Sequence, residues 1–195
     1  MHLVGVIGIS IPQTRELVIS LTPIHLIISL GLLIAGSKTP RKQLAKAFLP
    51  IFLIGLIVEI IGVQTGFPFG EYVYGKVMGP QIMDTPVVIG VNWFLLSYLF
   101  YFITQKINNK VFQIFLASAL MTLMDVLIEP IAIKLNYWTW TDNNVPFSNY
   151  LAWFIIAVLM QIILSTKLEN EKNKVAITLL ITQVVFFCLL FFPEF

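Results

Sequence analysis

The chain has 195 residues, of which 58% are hydrophobic and only 11% are charged. Soluble domains carry about 25% charged residues, so this composition excludes an ordinary soluble domain and is typical of an integral membrane protein. The formal net charge of +2 is too small to indicate a nucleic acid as a partner. A single cysteine, Cys188, excludes an intramolecular disulfide, and two histidines leave little for a metal centre, so no metal site is predicted.

The predicted elements begin with residues 1–14, which are apolar but contain two glycines and a proline. They are too short to cross a bilayer, and we expect them to lie in the membrane interface or against the other helices. No Lys or Arg precedes Arg15 and no small-residue cleavage site is apparent, so we expect the first apolar span to be retained, not removed as a signal peptide.

A transmembrane helix needs about 20 mostly apolar residues. The sequence therefore predicts an all-α integral membrane protein, with a single polytopic transmembrane domain over residues 1–195 and Cys188 in its core. The expected architecture is a bundle of about six transmembrane helices. The six predicted spans are 16–36, 46–65, 86–105, 111–133, 148–166 and 174–193.

The basic residues predict the orientation of these spans. If the N-terminus is outside, nine of the twelve Lys and Arg residues lie in the inner connections, and only Arg15, Lys76 and Lys134 lie outside. This bias predicts a multi-pass protein of the cell membrane with both termini on the extracytoplasmic face. The two longest loops, 66–85 and 134–147, are aromatic-rich and are then expected to share the outer face.

Four ionisable residues lie inside the predicted spans, although a charge there costs roughly 2.5–3.5 kcal/mol. They are His25, Glu59, Asp125 and Glu129, and each lies on a stripe of small or polar residues at helical spacing, which indicates a face directed at protein. At about 1.5 Å per residue, these side chains and Asn92 lie roughly 9–14 Å below the outer ends of their helices. We therefore expect one polar site in the outer half of the membrane, with nothing comparable in the inner half.

A structural role is the alternative for these residues. A buried protonated carboxyl group can hydrogen-bond a neighbouring helix and hold a bundle together. For His25 considered alone this alternative is favoured, because an isolated histidine often donates to a backbone carbonyl. Pro130, directly after Glu129, either bends its helix so that the end opens toward the aromatic loops or simply ends the span.

Carboxyl groups in an apolar, aromatic environment are suited to acid catalysis. We expect at least one of Asp125 and Glu129 to hold its proton at neutral pH, because they are one helical turn apart and no Lys or Arg lies at their level. The protonated group can protonate an unactivated C=C bond of a lipid-soluble substrate, and a second carboxylate and aromatic faces can stabilise the resulting cation. Water from the outer face would then quench it. HExxH, GxSxG and glycine-rich phosphate-binding motifs are absent from the sequence.

The segment GFPFGEYVYG, residues 66–75, is not typical of a spanning helix. Its three glycines permit turns and close approach, and its proline stiffens the loop, so we expect it to form a packed cap over the site. Trp138, Trp140 and Trp153 are interpretable as ordinary anchors at the membrane interface.

Five motifs follow one another over residues 59–154, and the most specific is EIIGVQTGFPFGEYVY, residues 59–74. The others are Pro86 with Asn92-Trp93-Phe94, Asp125-Val-Leu-Ile-Glu-Pro130, Tyr137-Trp-Thr-Trp140, and Val145-Pro-Phe-Ser-Asn149 with Trp153-Phe154. In matching order, these motifs resemble the integral-membrane carotenoid biosynthesis family of the bisanhydrobacterioruberin hydratase type, the cofactor-free carotenoid hydratases. The family pattern has an aspartate at the position of Glu129 and an alanine at that of Asn92, and this chain is short for the family.

The resemblance implies addition of water, without a cofactor, to the terminal double bond of an acyclic carotenoid ψ end, giving a tertiary alcohol. It implies the carotenoid, water and the lipid bilayer as partners, with other carotenoid biosynthesis enzymes as further candidates. We expect Asp125 and Glu129 to handle the proton and Glu59 to orient the water or the donor, while the identity of the donor stays open. The residues expected to line the substrate pocket are Asn92, Trp93, Tyr72, Tyr74 and His25.

Three other functions are compatible with the same residues. A carotenoid cyclase would protonate the same ψ end but let the cation close on its own chain. A proton-coupled transporter could use the carboxyl groups as a relay, although no inverted repeat is apparent. In a non-catalytic carotenoid-binding protein the carboxyl groups would be structural.

Overall fold

The chain consists almost entirely of α-helices in the computed structural model, which describes residues 2–142 and 144–191. The predicted all-α membrane class is confirmed, although short strands and a 3-10 turn at Lys76–Met78 occur in the loops. The last two residues of the predicted span 174–193 lie outside the described residues. The helices are α1 (His2–Ser10), α2 (Pro12–Ser20), α3 (Thr22–Gly36), α4 (Arg41–Thr65), α5 (Val88–Thr104), α6 (Lys110–Lys134), α7 (Phe147–Lys167) and α8 (Lys174–Phe191), and the strands are β1 (Tyr72–Tyr74), β2 (Gln81–Ile82), β3 (Thr85–Pro86) and β4 (Trp138–Trp140).

Four of the described helices, α4, α6, α7 and α8, are long and apolar enough to cross a membrane. The pair α2 and α3 makes a fifth crossing if it is counted as one span. Helix α5 is apolar but has only 17 residues. By length and composition the described helices therefore give four or five spans, and the predicted number of six is not reached by this measure alone.

The first predicted span, 16–36, is not one continuous helix. It is broken between α2 and α3, whose axes differ by 55°. Pro23 lies in the first turn of α3, where it cannot donate a backbone hydrogen bond and where its ring crowds the preceding turn. A proline at this position ends one helix and begins another, which explains the bend.

The N-terminal helix α1 lies against the bundle, one of the two places expected for residues 1–14. It folds back on α2, where Thr14 Oγ1 donates to the carbonyl of Gly8 at 2.8 Å. It also packs on α8, where the ring of Phe186 approaches Gly5. The segment therefore forms part of the wall of the bundle.

Helix α5 is the centre of the bundle, and most of its side chains are buried between α3, α4, α6, α7 and α8. Gly55 of α4 lies directly against Trp93 of α5, and a Cβ atom at position 55 would come within 2.7 Å of the indole. The small residue therefore lets the two helices approach closely within one chain.

Two expectations are wrong: that Cys188 lies in the core, and that polar side chains inside the bundle are confined to the level of the carboxyl groups. Cys188 is exposed, because α8 buries a different face, which carries Ala176, Leu179 and Leu190. Buried polar side chains also occur away from the carboxyl groups: Gln113 and Gln161 are fully buried in α6 and α7. A search of the sequence for ionisable residues does not find these glutamines. Their uncharged amides also cost less to bury than carboxylates do.

Candidate functional site

The two aromatic loops meet at one end of the bundle. Strands β1 and β4 pair antiparallel, so that Tyr72 lies opposite Trp140 and Tyr74 opposite Trp138. Because residues two apart in a strand share a face, all four aromatic side chains project together. Phe69, from the same loop as β1, is also buried. The segment GFPFGEYVYG is therefore half of a cap. The tyrosine hydroxyl groups and tryptophan N–H groups of this cap reach the helices below it.

Glu59 on α4 is the first carboxyl group beneath this cap. Its Oε2 accepts hydrogen bonds from the hydroxyl groups of Tyr72 at 2.6 Å and Tyr74 at 2.7 Å. Its Oε1 accepts a bond from Nε1 of Trp93 at 2.9 Å. Burial, and next the charge of Glu59, raise the pKa of both tyrosines above its ordinary value, so that they remain donors.

The approach of β1 to α4 depends on Gly62, one turn after Glu59. A Cβ atom at this position would lie 2.6 Å from the ring of Phe69 and 2.8 Å from the Tyr72 hydroxyl oxygen. Contacts this short do not occur for ordinary Cβ atoms. The glycine therefore allows the loop to place the tyrosine hydroxyl on the carboxylate.

Glu129 on α6 is the second carboxyl group, and it is held by two indoles of the cap. Its Oε2 accepts bonds from Nε1 of Trp138 at 2.9 Å and from Nε1 of Trp140 at 3.1 Å. Its Oε1 lies 3.4 Å from Nδ2 of Asn149, in the first turn of α7. Glu129 is thus oriented by donors from β4 and α7.

Asp125, one helical turn before Glu129, is the least satisfied of the three carboxyl groups. Its Oδ2 accepts a bond from Nδ2 of Asn149 at 3.1 Å. Its Oδ1 is buried and has no hydrogen-bond partner among the described residues. Helix α6 continues for four residues beyond Pro130, so the alternative that this proline ends the span is wrong.

The three carboxyl groups line one small cavity of about 30 Å³. About 10–15 Å³ is enough to hold one water molecule, so the cavity has room for one or two. No Lys or Arg is among the residues that line it in the described parts of the chain. The remaining lining residues are Phe69, Tyr72, Tyr74, Ile89, Asn92, Ile128, Trp138, Trp140, Asn149 and Trp153.

A second, larger cavity of about 420 Å³ adjoins the first. Its walls come mainly from apolar side chains of α1, α3, α5 and α8. Four residues line both cavities, namely Ile89, Asn92, Ile128 and Trp138, and we call these four the neck. A polar chamber with three carboxyl groups thus adjoins an apolar one at these four side chains.

The structure brings most of the predicted site residues together, but not all. Glu59, Asp125, Glu129, Asn92, Tyr72 and Tyr74 line the small cavity. Trp93 does not line it, and its indole instead donates a hydrogen bond to the Glu59 carboxyl group. His25 is also outside it: the imidazole lines the larger cavity, with its ring centre 4.6 Å from that of His2.

Sequence reasoning missed three donors to the carboxyl groups, namely Asn149, Trp138 and Trp140. The tryptophans were interpreted as interface anchors. The alternation of aromatic residues in YVY at 72–74 and WTW at 138–140 was a signal for two strands that each present one aromatic face. Asn149 ends the motif Val145-Pro-Phe-Ser-Asn149, which contributed to the family resemblance but had been given no role in the site.

Fold and site together define a helical membrane protein with a carboxyl cluster beside an apolar chamber. The chain belongs to the carotenoid biosynthesis protein family, whose family model matches residues 18–193. It is 31% identical over 132 residues to the bisanhydrobacterioruberin hydratase of Haloarcula japonica, a match that covers 62% of this chain and 44% of that relative. The chain thus spans less than half the length of this relative. No solved structure matches the chain.

Proposed function

We propose that the protein is a cofactor-independent carotenoid hydratase, a hydro-lyase that adds water to the terminal double bond of an acyclic carotenoid ψ end. The observation that carries the proposal is the buried Oδ1 of Asp125, which has no hydrogen-bond partner among the described residues, beside a polar cavity that adjoins an apolar one. Family membership and the similarity to a protein named as a hydratase support the same reaction.

Asp125 is the proton donor in this proposal. Glu59 receives three O–H or N–H donors and Glu129 receives two indole N–H groups and an amide, an environment that stabilises an ionised carboxylate. Asp125 receives one amide donor on Oδ2, which leaves Oδ1 free to carry a hydrogen. The contrast between the three carboxyl groups supports this division of roles.

The reaction begins when the O–H bond of Asp125 breaks and its proton moves to the less substituted carbon of the double bond. The π electrons form the new C–H bond, and a tertiary cation remains on the neighbouring carbon. The carboxylates of Glu59 and Glu129 and the ring face of Trp138 stabilise this positive charge.

Water completes the addition. Its oxygen donates a lone pair to the cation and forms the C–O bond, and the proton that this oxygen then releases returns to Asp125. The donor is thereby restored, and the net change is one water added to the alkene. The size of the small cavity, which has room for one or two water molecules, supports this step.

The proposed arrangement in the cell membrane has six crossings, with both termini extracytoplasmic. Helix α5 is the sixth crossing: its 17 residues extend about 25 Å, at the lower limit for a span, and its neighbours surround it. The excess of Lys and Arg in the inner connections supports this orientation. The carboxyl cavity then lies beneath the outer face, where water arrives.

Expression of the full chain in a host that makes lycopene tests the proposal. Pigments extracted from a culture grown in heavy-oxygen water should include a more polar product, heavier by one labelled water. A cyclase would give a product of unchanged mass. Unchanged pigments across several acyclic carotenoids would contradict an enzyme of either kind and favour transport or binding.

A further inference from the structure

We propose that the larger cavity binds the isoprenoid chain next to the reacting end, so that the substrate lies along α5 from the carboxyl groups to the lipid. This inference rests on the proposed function. It assigns a role to a chamber that neither the family nor the relative's name explains.

The first support is that the two cavities adjoin each other along one helix. Ile89, Asn92, Leu95 and Leu99 of α5 all line the larger cavity, and their steps of three and four keep them on one helix face. Ile89 and Asn92 also line the small cavity. From Ile89 to Leu99 the stripe extends about 15 Å, so a linear chain bound along it has its end at the carboxyl groups.

The second support is size. A cavity of about 150 Å³ holds a benzene ring, so about 420 Å³ has room for a segment on the order of 15 carbon atoms. A carotenoid is longer than such a segment. One end of the molecule therefore fits in the chamber, and the rest must leave it.

The third support is where the chamber opens. Val4 of α1 and Ile24 and Ile28 of α3 line the cavity and are also exposed on the outside of the bundle. Exposed aliphatic side chains on a membrane helix face lipid. The opening is therefore lateral, and an apolar chain can pass from the bilayer to the neck without crossing water.

The neck separates an apolar compartment from a polar one. Its two isoleucines offer only hydrocarbon, and the indole N–H of Trp138 is already donated to Glu129. The side-chain amide of Asn92 is the other polar group at this boundary. Within residues 2–142 and 144–191 it makes no hydrogen bond to another residue. We infer that the terminal double bond of the substrate stops at the neck, with the carboxyl groups and the water cavity on its far side.

Two neighbouring residues of α3 provide a matched test. Ile28 lines the mouth of the chamber and is 43% exposed, whereas Ile27 is 57% exposed and does not line it. Ile28→Trp places a large ring in the opening, and Ile27→Trp places the same ring on the lipid-facing surface. Both substitutions are at exposed positions, so the protein should fold in each case.

The full-length variants are purified from the lycopene-producing host, and pigment bound per protein and the hydrated fraction are both measured. We expect Ile28→Trp to lower bound pigment by about tenfold and Ile27→Trp to leave it unchanged. Equal effects of the two substitutions, or no effect of Ile28→Trp, would overturn the assignment of the chamber.

A second variant separates this inference from the proposed function. Asp125→Asn should retain bound pigment but form no hydrated product. If the wild type hydrates lycopene and Ile28→Trp does so equally well, the chamber is wrong and the hydratase stands. If the wild type binds pigment in a way that Ile28→Trp prevents but forms no product, the chamber stands and the hydratase is wrong.

Discussion

The side-chain amide of Asn149 donates to Oδ2 of Asp125 at 3.1 Å, while Oδ1 of the same carboxyl is buried without a described partner. A buried polar atom that lacks a partner is costly, and a catalytic role or a bound water molecule explains such an atom. Asn149 also lies 3.4 Å from Glu129, so one amide fixes the relative orientation of the two carboxyl groups. Asp125 thus lines the small cavity with one oxygen held by Asn149 and the other without a described partner.

Asp125→Asn should remove the proton donor while preserving the size of the side chain. General acid catalysis contributes typically 10²–10⁴-fold to a rate, so we expect a loss of hydrated pigment of about that size. The measurement is the yield of labelled product per amount of membrane-inserted protein. The control is Asp142→Asn, at an exposed loop position, which should hydrate like the wild type. Full activity of Asp125→Asn would remove this residue from the mechanism.

Trp140→Phe should preserve a buried aromatic ring but delete the N–H that Glu129 accepts at 3.1 Å. Loss of a hydrogen bond to a charged group costs about 1.5–3 kcal/mol, so the thermal midpoint in detergent and the hydration rate should both fall. In a Glu129→Gln background the same substitution should cost less, because the charged acceptor is gone. If the cost is the same in both backgrounds, Trp140→Phe acts through lost packing and not through the hydrogen bond to Glu129.

How far the sequence predicts this site differs between its parts. The helical spacing of Asp125 and Glu129 predicted a common face, and both carboxyl groups are indeed buried on α6. Local periodicity carries this information because neighbours on a helix face are set by the chain itself. The carboxyl groups are therefore the part of the site that sequence inspection can find.

The donors to these carboxyl groups could not be predicted in the same way. Whether Trp140 reaches Glu129 depends on the pairing of β1 with β4, a register between segments far apart in the chain. Whether Asn149 reaches Asp125 depends on how α7 is rotated against α6. The bend before α3 could have been predicted, because Pro23 lies inside the predicted span and disfavours a continuous helix there.

Stability should depend on pH through Tyr72, whose pKa is raised chiefly by burial and secondly by the charge of Glu59. In the unfolded chain the same hydroxyl ionises near its ordinary pKa of about 10. Its contribution to stability is therefore complete below about pH 10 and is lost as the pH rises above that value. The difference in thermal midpoint between wild type and Tyr72→Phe should be constant from neutral pH to about pH 10. At higher pH this difference should shrink. A difference that grows at high pH would contradict this interpretation.

Gly62→Ala tests whether close contact between the cap and α4 holds the carboxyl cluster together. The added methyl group would lie 2.6 Å from the ring of Phe69 and 2.8 Å from the Tyr72 hydroxyl oxygen, so the loop must move away from Glu59. Overpacking of this kind costs about 1–3 kcal/mol, and we expect a lower thermal midpoint together with weaker hydration.

Gly31→Ala is the matched control on α3, because no atom other than those of the adjoining residues and helix backbone lies within 4 Å of the added Cβ. It should be neutral or stabilising by up to about 1 kcal/mol, since alanine favours a helix more than glycine does. If Gly62→Ala is as stable and as active as Gly31→Ala, the cap does not depend on that contact. If Gly62→Ala loses stability but retains full hydration, Tyr72 does not orient Glu59 for the reaction, and only the packing role of the loop remains.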